Sequence, residues 1–403
     1  MEKARILIIT EVFYPEEFVV NDLALSWKEQ GYSVDVITPS PTYPLGKVFL
    51  GYKNRLFSKE TYAGINIFRV RAITGYRNSL SRKIFKYINF MFLGSIRAAL
   101  IGNRYDCVFG YNLGSLTDML PAVVIRKLHK KPVVFWVQDV WPDSVYAYGF
   151  KKTKILTRVL NNFVKFVYRH ASAVVISSKG FQRKIEPYLN QGVNLIYAPN
   201  WATDLDLNSD PVTLSETDKV HFTFAGNIGK VQNLENIINA FRLLPNNYKD
   251  KSQFNIIGDG SNLRNLRTLA KGEKNIVFYG QQERQRMFSF YKASNFLIVS
   301  LIGEPIFSMT VPGKLQTYIA AKKPILAIIN GEVADIVNHN NIGLSVDPSS
   351  VSLIRKSLKR CIDMSESERD ALTLNNSELL KTTFNKENII NTITNQIENC
   401  VKK

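Results

Sequence analysis

Cysteine, histidine and long apolar runs are all scarce in this 403-residue chain. The three cysteines, Cys107, Cys361 and Cys400, are odd in number and far apart, which excludes a disulfide framework or a thiolate cluster. A reducing, cytoplasmic setting is expected. The four histidines, His129, His170, His221 and His339, lack metal-like neighbours at useful spacing, so no metal is expected. No uninterrupted apolar run reaches the roughly 18 residues that span a bilayer. The first apolar run, Arg5 to Thr10, is closed by Glu11 and reads as a buried strand rather than a signal peptide. Acidic side chains are scarce in one half only. Residues 1–200 carry 28 Lys and Arg against 13 Asp and Glu, whereas residues 201–403 carry 24 against 21. Nearly all of the net charge of +18 therefore lies in the first half, which implies a polyanionic partner there.

What the chain does have is alternation. Short Val- and Ile-rich runs at 4–10, 33–38, 105–110, 132–137, 173–177 and 193–197 are separated by helical patterns such as Phe18 to Gln30, Ser115 to His129 and Lys154 to His170. That order predicts a parallel sheet covered by helices. Residues 59–73 read instead as an inserted hairpin. A polar stretch, Asp204 to Lys219, reads as a linker, and the pattern restarts with strands expected at 220–225, 254–258, 276–279, 296–301, 325–329 and 343–346. The fold class is α/β, two tandem Rossmann-like βα domains facing a cleft. They are expected at 1–205 and 206–385, with a last helix at 386–403 packing back on the first.

Ligands of such sheets bind beyond the carboxyl ends of the strands, so the loops there carry the candidates. In the second half, Gly226-Asn227-Ile228-Gly229-Lys230-Val231-Gln232 follows the first strand; its spacing is not GxGxxG, and Asn227, Lys230 and Gln232 are possible donors. Gly258 lies after the next strand. Ser308 to Ala321 is a hydroxyl-bearing loop opening into a helix, with Ser308, Thr310, Gly313, Lys314 and Thr317 as candidates for a diphosphate. An ordinary loop-to-helix junction with a solvated lysine would share this pattern.

In the first half, Asp139 and Asp143 follow a buried strand, in a long stretch otherwise without acids. A carboxylate there can take a proton or steady a positive charge developing on a sugar. Helix capping explains Asp143 equally well, and an arginine pair would explain Asp139. Glu16 lies after the first strand, where it could contact an acceptor hydroxyl or complement a helix dipole. Asp204-Leu205-Asp206 reads as a solvated turn.

Residues 77–104 combine Arg82, Lys83 and Lys86 with Phe85, Phe90, Phe92 and other apolar side chains; Lys86, Asn89 and Arg97 interrupt it and argue against a span. Lys151 and Lys152 begin a second basic run. Both read as faces for an anionic membrane surface, and the absence of a nucleic-acid motif argues against nucleic acid.

Together these marks resemble the retaining glycosyltransferases of family 4, with the GT-B fold, and among them the O-antigen and capsule branch that includes fucosamine transferases. They are Gln138-Asp139-Val140-Trp141-Pro142-Asp143-Ser144, Pro199-Asn200-Trp201, Gly226-Asn227-Ile228-Gly229 with Gln232, Gly258-Asp259-Gly260, and Val311-Pro312-Gly313-Lys314 followed by Tyr318 and Ala320-Ala321. The resemblance implies a nucleotide-sugar donor, UDP-linked, on the second domain. It implies an acceptor on the first and no obligatory metal; with the basic, aromatic faces, the leading expectation is a polyprenyl-diphosphate-linked acceptor and a peripheral place on the inner membrane face. Two family features are missing. Asn227 and Gln232 stand where many relatives have a basic pair, and Thr317 stands where the second glutamate of Glu-x7-Glu is expected. The rival readings are a nucleotide-sugar epimerase or hydrolase of the same architecture, and a non-catalytic membrane- or polysaccharide-binding scaffold.

Overall fold

A computed structural model describes residues 3–76, 79–147, 149–202, 212, 214 and 218–402. The chain divides into two units, one of residues 1–199 with 387–403 and one of residues 200–386. The proposed linker, with Asp204-Leu205-Asp206, falls mostly outside the described residues.

The first unit holds eight strands: β1 (Arg5–Thr10), β2 (Ser33–Pro39), β3 (Phe57–Tyr62), β4 (Ile65–Val70), β5 (Cys107–Asn112), β6 (Val133–Val137), β7 (Ala173–Ile176) and β8 (Asn194–Tyr197). They form one sheet in the order β3-β4-β2-β1-β5-β6-β7-β8. Only the β3–β4 hairpin is antiparallel, and it closes one edge. Strands β5 and β6 are buried throughout, so they read as unbroken apolar runs rather than alternating ones. The Lys386–Lys402 helix belongs to this unit, where Trp27 Nε1 donates to Thr394 Oγ1 at 2.8 Å.

The second unit holds β9 (Val220–Ala225), β10 (Ser252–Ile257), β11 (Ile276–Gly280), β12 (Phe296–Ser300), β13 (Ile325–Ile328) and β14 (Gly343–Val346). Their order is β11-β10-β9-β12-β13-β14, and every pairing is parallel. Phe222, Phe224, Phe254 and Ile256 pack against Ile238 and Phe241 of the Leu234–Arg242 helix and against Ile354 and Leu358 of the Val351–Asp363 helix. In each sheet the strand order reverses once, beside β1 and β5 in the first unit and beside β9 and β12 in the second. Loops leaving those strands diverge, and a crevice opens where they part.

The Leu80–Ile101 helix is the crossover from β4 to β5, started by Ser79, whose Oγ accepts from Arg82 N at 3.3 Å. Among the described residues, one helical stretch, Leu80–Arg104, is long and apolar enough to cross a membrane by length and composition. The interruptions at Lys86, Asn89 and Arg97 are therefore not what rules out a span. Topology does: both flanking strands lie in one sheet, and Phe90, Gly94, Ala98 and Ile101 are buried against the unit.

Candidate active site

In the second unit, three loops at the carboxyl ends of the strands are tied together by their backbones. Gly226 N donates to Ile257 O at 3.0 Å, Ile228 N to Asp259 O at 2.9 Å, and Ile302 N to Val231 O at 2.9 Å. The loops after β9 and β10 approach so closely that a Cβ on Gly258, at φ +131°, would lie 1.9 Å from Gly226 O. Only glycine fits there. The Lys314 side chain folds back from the first turn of the Lys314–Ala320 helix. Its Nζ stands 3.7 Å from the centroid of the Phe224 ring and 3.5 Å from where a Cβ on Gly226 would be. The aromatic face partners its charge; no carboxylate pairs with it among the described residues, and burial pulls its ammonium down to about 7. Tyr318 fixes the geometry from beneath, its OH accepting from Ala225 N at 3.1 Å.

The other donor-side candidates occupy the same loops with different duties. Asn227 and Lys230 are exposed. Gln232 Oε1 accepts from Gly229 N at 2.9 Å, which shapes the turn. The hydroxyls of Ser308 and Thr310 donate to Pro305 O and Ile306 O, at 2.7 and 3.0 Å, and Thr317 Oγ1 donates to Gly313 O at 3.4 Å. All three hydroxyls are engaged with local backbone. Gly313 is exposed, with open space at its Cα.

In the first unit, the corresponding edge is crowded with charge. Glu11, directly after β1, is 7% exposed and accepts from Lys86 Nζ at 3.0 Å. Asp118, after β5, is 1% exposed beside Glu11, and among the described residues no nitrogen donor reaches its oxygens. Burial, and then the neighbouring Glu11, hold its carboxyl well above the usual range. Lys86 is held above the ordinary lysine range: burial opposes its charge, but Glu11, Tyr76 and Asp118 outweigh it. Asp139, after β6, is partly exposed and accepts from Val140 N at 2.9 Å. Burial pushes its carboxyl up to about 7, against the pull of Val140 N–H, the Ser144 hydroxyl and Lys83, and Glu11 pushes the same way. A carboxyl poised there can accept or return a proton near neutrality. Asp143 starts a short helix and pairs with Lys184 at 2.7 Å.

Two expectations for this unit are corrected. Glu16 is 5% exposed, and its carboxylate accepts from Thr42 N at 2.8 Å, Tyr43 N at 2.6 Å and Phe13 N at 3.4 Å. It is a tie between the loops after β1 and β2, not an acceptor contact. Lys86 does not face a membrane, because its ammonium is neutralised inside the protein. Lys83 is partly buried beside it, with its ammonium pulled down by burial and by Lys86. Arg82, Lys151 and Lys152 are exposed. Phe90 is 2% exposed, leaving Phe85 and Phe92 outside. Sequence reasoning missed Glu11 and Asp118. The available signal was an acid ending an apolar strand in a half otherwise poor in acids. Among the described residues no group of three or more His, Cys, Asp or Glu is placed to hold a metal.

This arrangement, an uncompensated cation on glycine loops in one Rossmann-like unit and a polar, acidic edge in the other, is that of an enzyme of the GT-B fold. Residues 17–201 match the glycosyl transferase 4-like domain and residues 208–376 match the glycosyl transferases group 1 model. The chain is a glycosyltransferase. It is 28% identical over 278 residues, 66% of its length and 68% of the relative's, to the probable glycosyltransferase WbjE of Pseudomonas aeruginosa. It is 23% identical over 392 residues, 91% and 92% of the two chains, to the putative colanic acid biosynthesis glycosyl transferase WcaI of Escherichia coli K12. Its fold is similar to an E. coli trehalose-6-phosphate protein bound with UDP-2-fluoro glucose, with a TM-score of 0.74, 10% identity and 99% of each chain covered.

Proposed function

We propose that this enzyme moves a sugar, with retention at the anomeric carbon, from a UDP-linked donor to a polyprenyl-diphosphate-linked acceptor in capsule or O-antigen assembly. The observation that carries this reading is Lys314, an ammonium with no carboxylate partner, held against Gly226 where the strand order of the second unit reverses. A diphosphate is the anion such a site lacks, and it would restore the charge that burial suppresses. Lys314, with exposed Lys230 four residues after Gly226, would meet the charge of the departing UDP without an obligatory metal. Asp139 would take a proton from the acceptor or face the positive charge on the sugar. The UDP-sugar reading is supported by the bound ligand of the E. coli neighbour, and the polysaccharide reading by the colanic acid relative. The donor sugar falls, on the resemblance, among those handled by the fucosamine branch. A peripheral place on the cytoplasmic membrane face fits the exposed Lys151 and Lys152 and the outward Phe85 and Phe92.

The test is incubation with a panel of nucleotide sugars, with and without membrane lipid extract. Transfer of label into the lipid fraction, dependent on a UDP-sugar, is the expected result. Release of free sugar or epimerised nucleotide sugar without lipid labelling would instead identify a hydrolase or epimerase.

A further inference from the structure

The first unit has a shallow groove of about 520 Å³ between residues 72–74 and the first turns of the Leu80–Ile101 helix. Ile73, Thr74, Arg82, Phe85, Ile88 and Asn89 line it. Its apolar wall is open to solvent: Phe85 is 62% exposed and Ile88 41%. Asn89 is spoken for, its amide donating to Arg71 O at 2.5 Å. No acidic residue lines the groove, and no described carboxylate pairs with Arg82, whose guanidinium lies over Gly75. The groove thus offers one uncompensated cation at the head of an apolar track. That track continues along the helix through exposed Phe92, Ile96 and Leu100, spaced four residues apart and so about one turn each.

The same two turns have a second edge. Lys86 adjoins Phe85 in sequence and reaches inward to Glu11, while Lys83 adjoins Arg82 and is influenced by Glu11 and Asp139. One helix therefore carries the groove and borders the acidic edge that holds Asp139. A ligand with a polar end at Asp139, an anionic middle and an apolar tail would meet matching chemistry in that order. We propose that this groove is the acceptor's lipid subsite, with Arg82 on the diphosphate and Ile73, Phe85 and Ile88 against the first isoprene units. The inference rests on the lipid-linked acceptor of the functional reading. A bilayer headgroup would also satisfy Arg82, but it does not explain why the helix that carries the groove also reaches Glu11 through Lys86.

The test uses farnesyl diphosphate as a soluble probe, titrated against the full chain, with inorganic diphosphate and phosphatidylglycerol vesicles in parallel. Wild type should bind farnesyl diphosphate at least about tenfold more tightly than inorganic diphosphate, because the tail adds buried apolar area. Arg82→Gln and the double variant Phe85→Ser/Ile88→Ser should each weaken that binding about tenfold or more. Leu374→Ser, at an exposed apolar residue of the second unit, should change it less than about threefold. UDP titration and circular dichroism verify that each variant is folded. Farnesyl diphosphate binding unchanged in both groove variants would overturn the inference, as would a loss confined to the vesicles. Failure of the functional reading looks different: the probe would bind as described, yet no UDP-sugar would label any lipid.

Discussion

The two units use the same topology and opposite electrostatics. At the strand ends of the first, charges are close together and largely compensated: Glu11 with Lys86 at 3.0 Å, Asp143 with Lys184 at 2.7 Å, and the Asp118 and Asp139 carboxyls pushed up by burial. At the strand ends of the second, Lys314 lies among glycine loops and an aromatic ring, and among the described residues no carboxylate pairs with it. A compensated edge has little net attraction for an ion and suits a neutral polyol that exchanges hydrogen bonds and a proton. An uncompensated cation is held ready for a polyanion, at the cost of stability when the anion is absent. The proposed division of labour between acceptor and donor rests on that difference.

The largest effect should come from the proton at the compensated edge. Asp139→Asn should lower transfer about 10²- to 10⁴-fold, the usual contribution of a positioned acid or base, while the UDP dissociation constant stays unchanged. Wild-type transfer should rise with pH through about 7, where Asp139 ionises, if it serves as the base. A variant that also lost UDP binding would break the division between the units.

Stability sharpens the contrast next. Lys86→Met leaves Glu11 and Asp118 buried without their cation and should cost roughly 3–5 kcal/mol in denaturant unfolding. Lys314→Met removes a lone desolvated charge and should leave the unliganded protein equally or more stable. Opposite signs for the two lysines are the expected result; equal destabilisation would show that Lys314 has compensation of its own.

Donor affinity should respond less strongly. Lys314→Ala should weaken UDP binding about tenfold to a hundredfold, the loss of one charge-assisted phosphate contact. Because burial depresses the free ammonium to about 7, the diphosphate must draw a proton onto it at higher pH. UDP affinity should therefore be nearly constant below that pH and fall as pH rises above it, by up to about tenfold per unit until the bound-state pKa is reached. Calorimetry in buffers of different ionisation enthalpy would read the proton uptake, and Lys314→Ala should abolish it.

Smallest is the surface term. Lys151→Glu/Lys152→Glu should reduce binding to anionic vesicles by about 1 kcal/mol per charge and lessen its salt dependence, with UDP affinity unaffected. Vesicle sedimentation across salt concentrations measures it, and equal binding to neutral lipid would assign those lysines another role.

Much of this was legible in order along the chain. Alternating short apolar runs and helical patterns gave the α/β class and the hairpin at residues 59–73, because periodicity is local. Lys314 and Gly226 could be singled out because a loop-to-helix junction and a glycine turn are local signals too. The Glu11–Lys86 pair could not, since its members stand 75 residues apart and meet only because β1 is adjacent to β5. Nor could the fate of neighbouring side chains on one helix: Phe85 and Phe92 face out while Phe90 faces in, and Lys86 turns inward while Arg82 stays exposed. Composition treats those residues alike; burial separates them by which side of the helix meets the sheet. Thus the sequence by itself determined the elements and the charge asymmetry, and it marked Lys314 as a candidate. Only the tertiary structure decided the strand order that opens each unit at its reversal and the charges that are cancelled inside. The physical reason is that pairing and burial depend on neighbours in space.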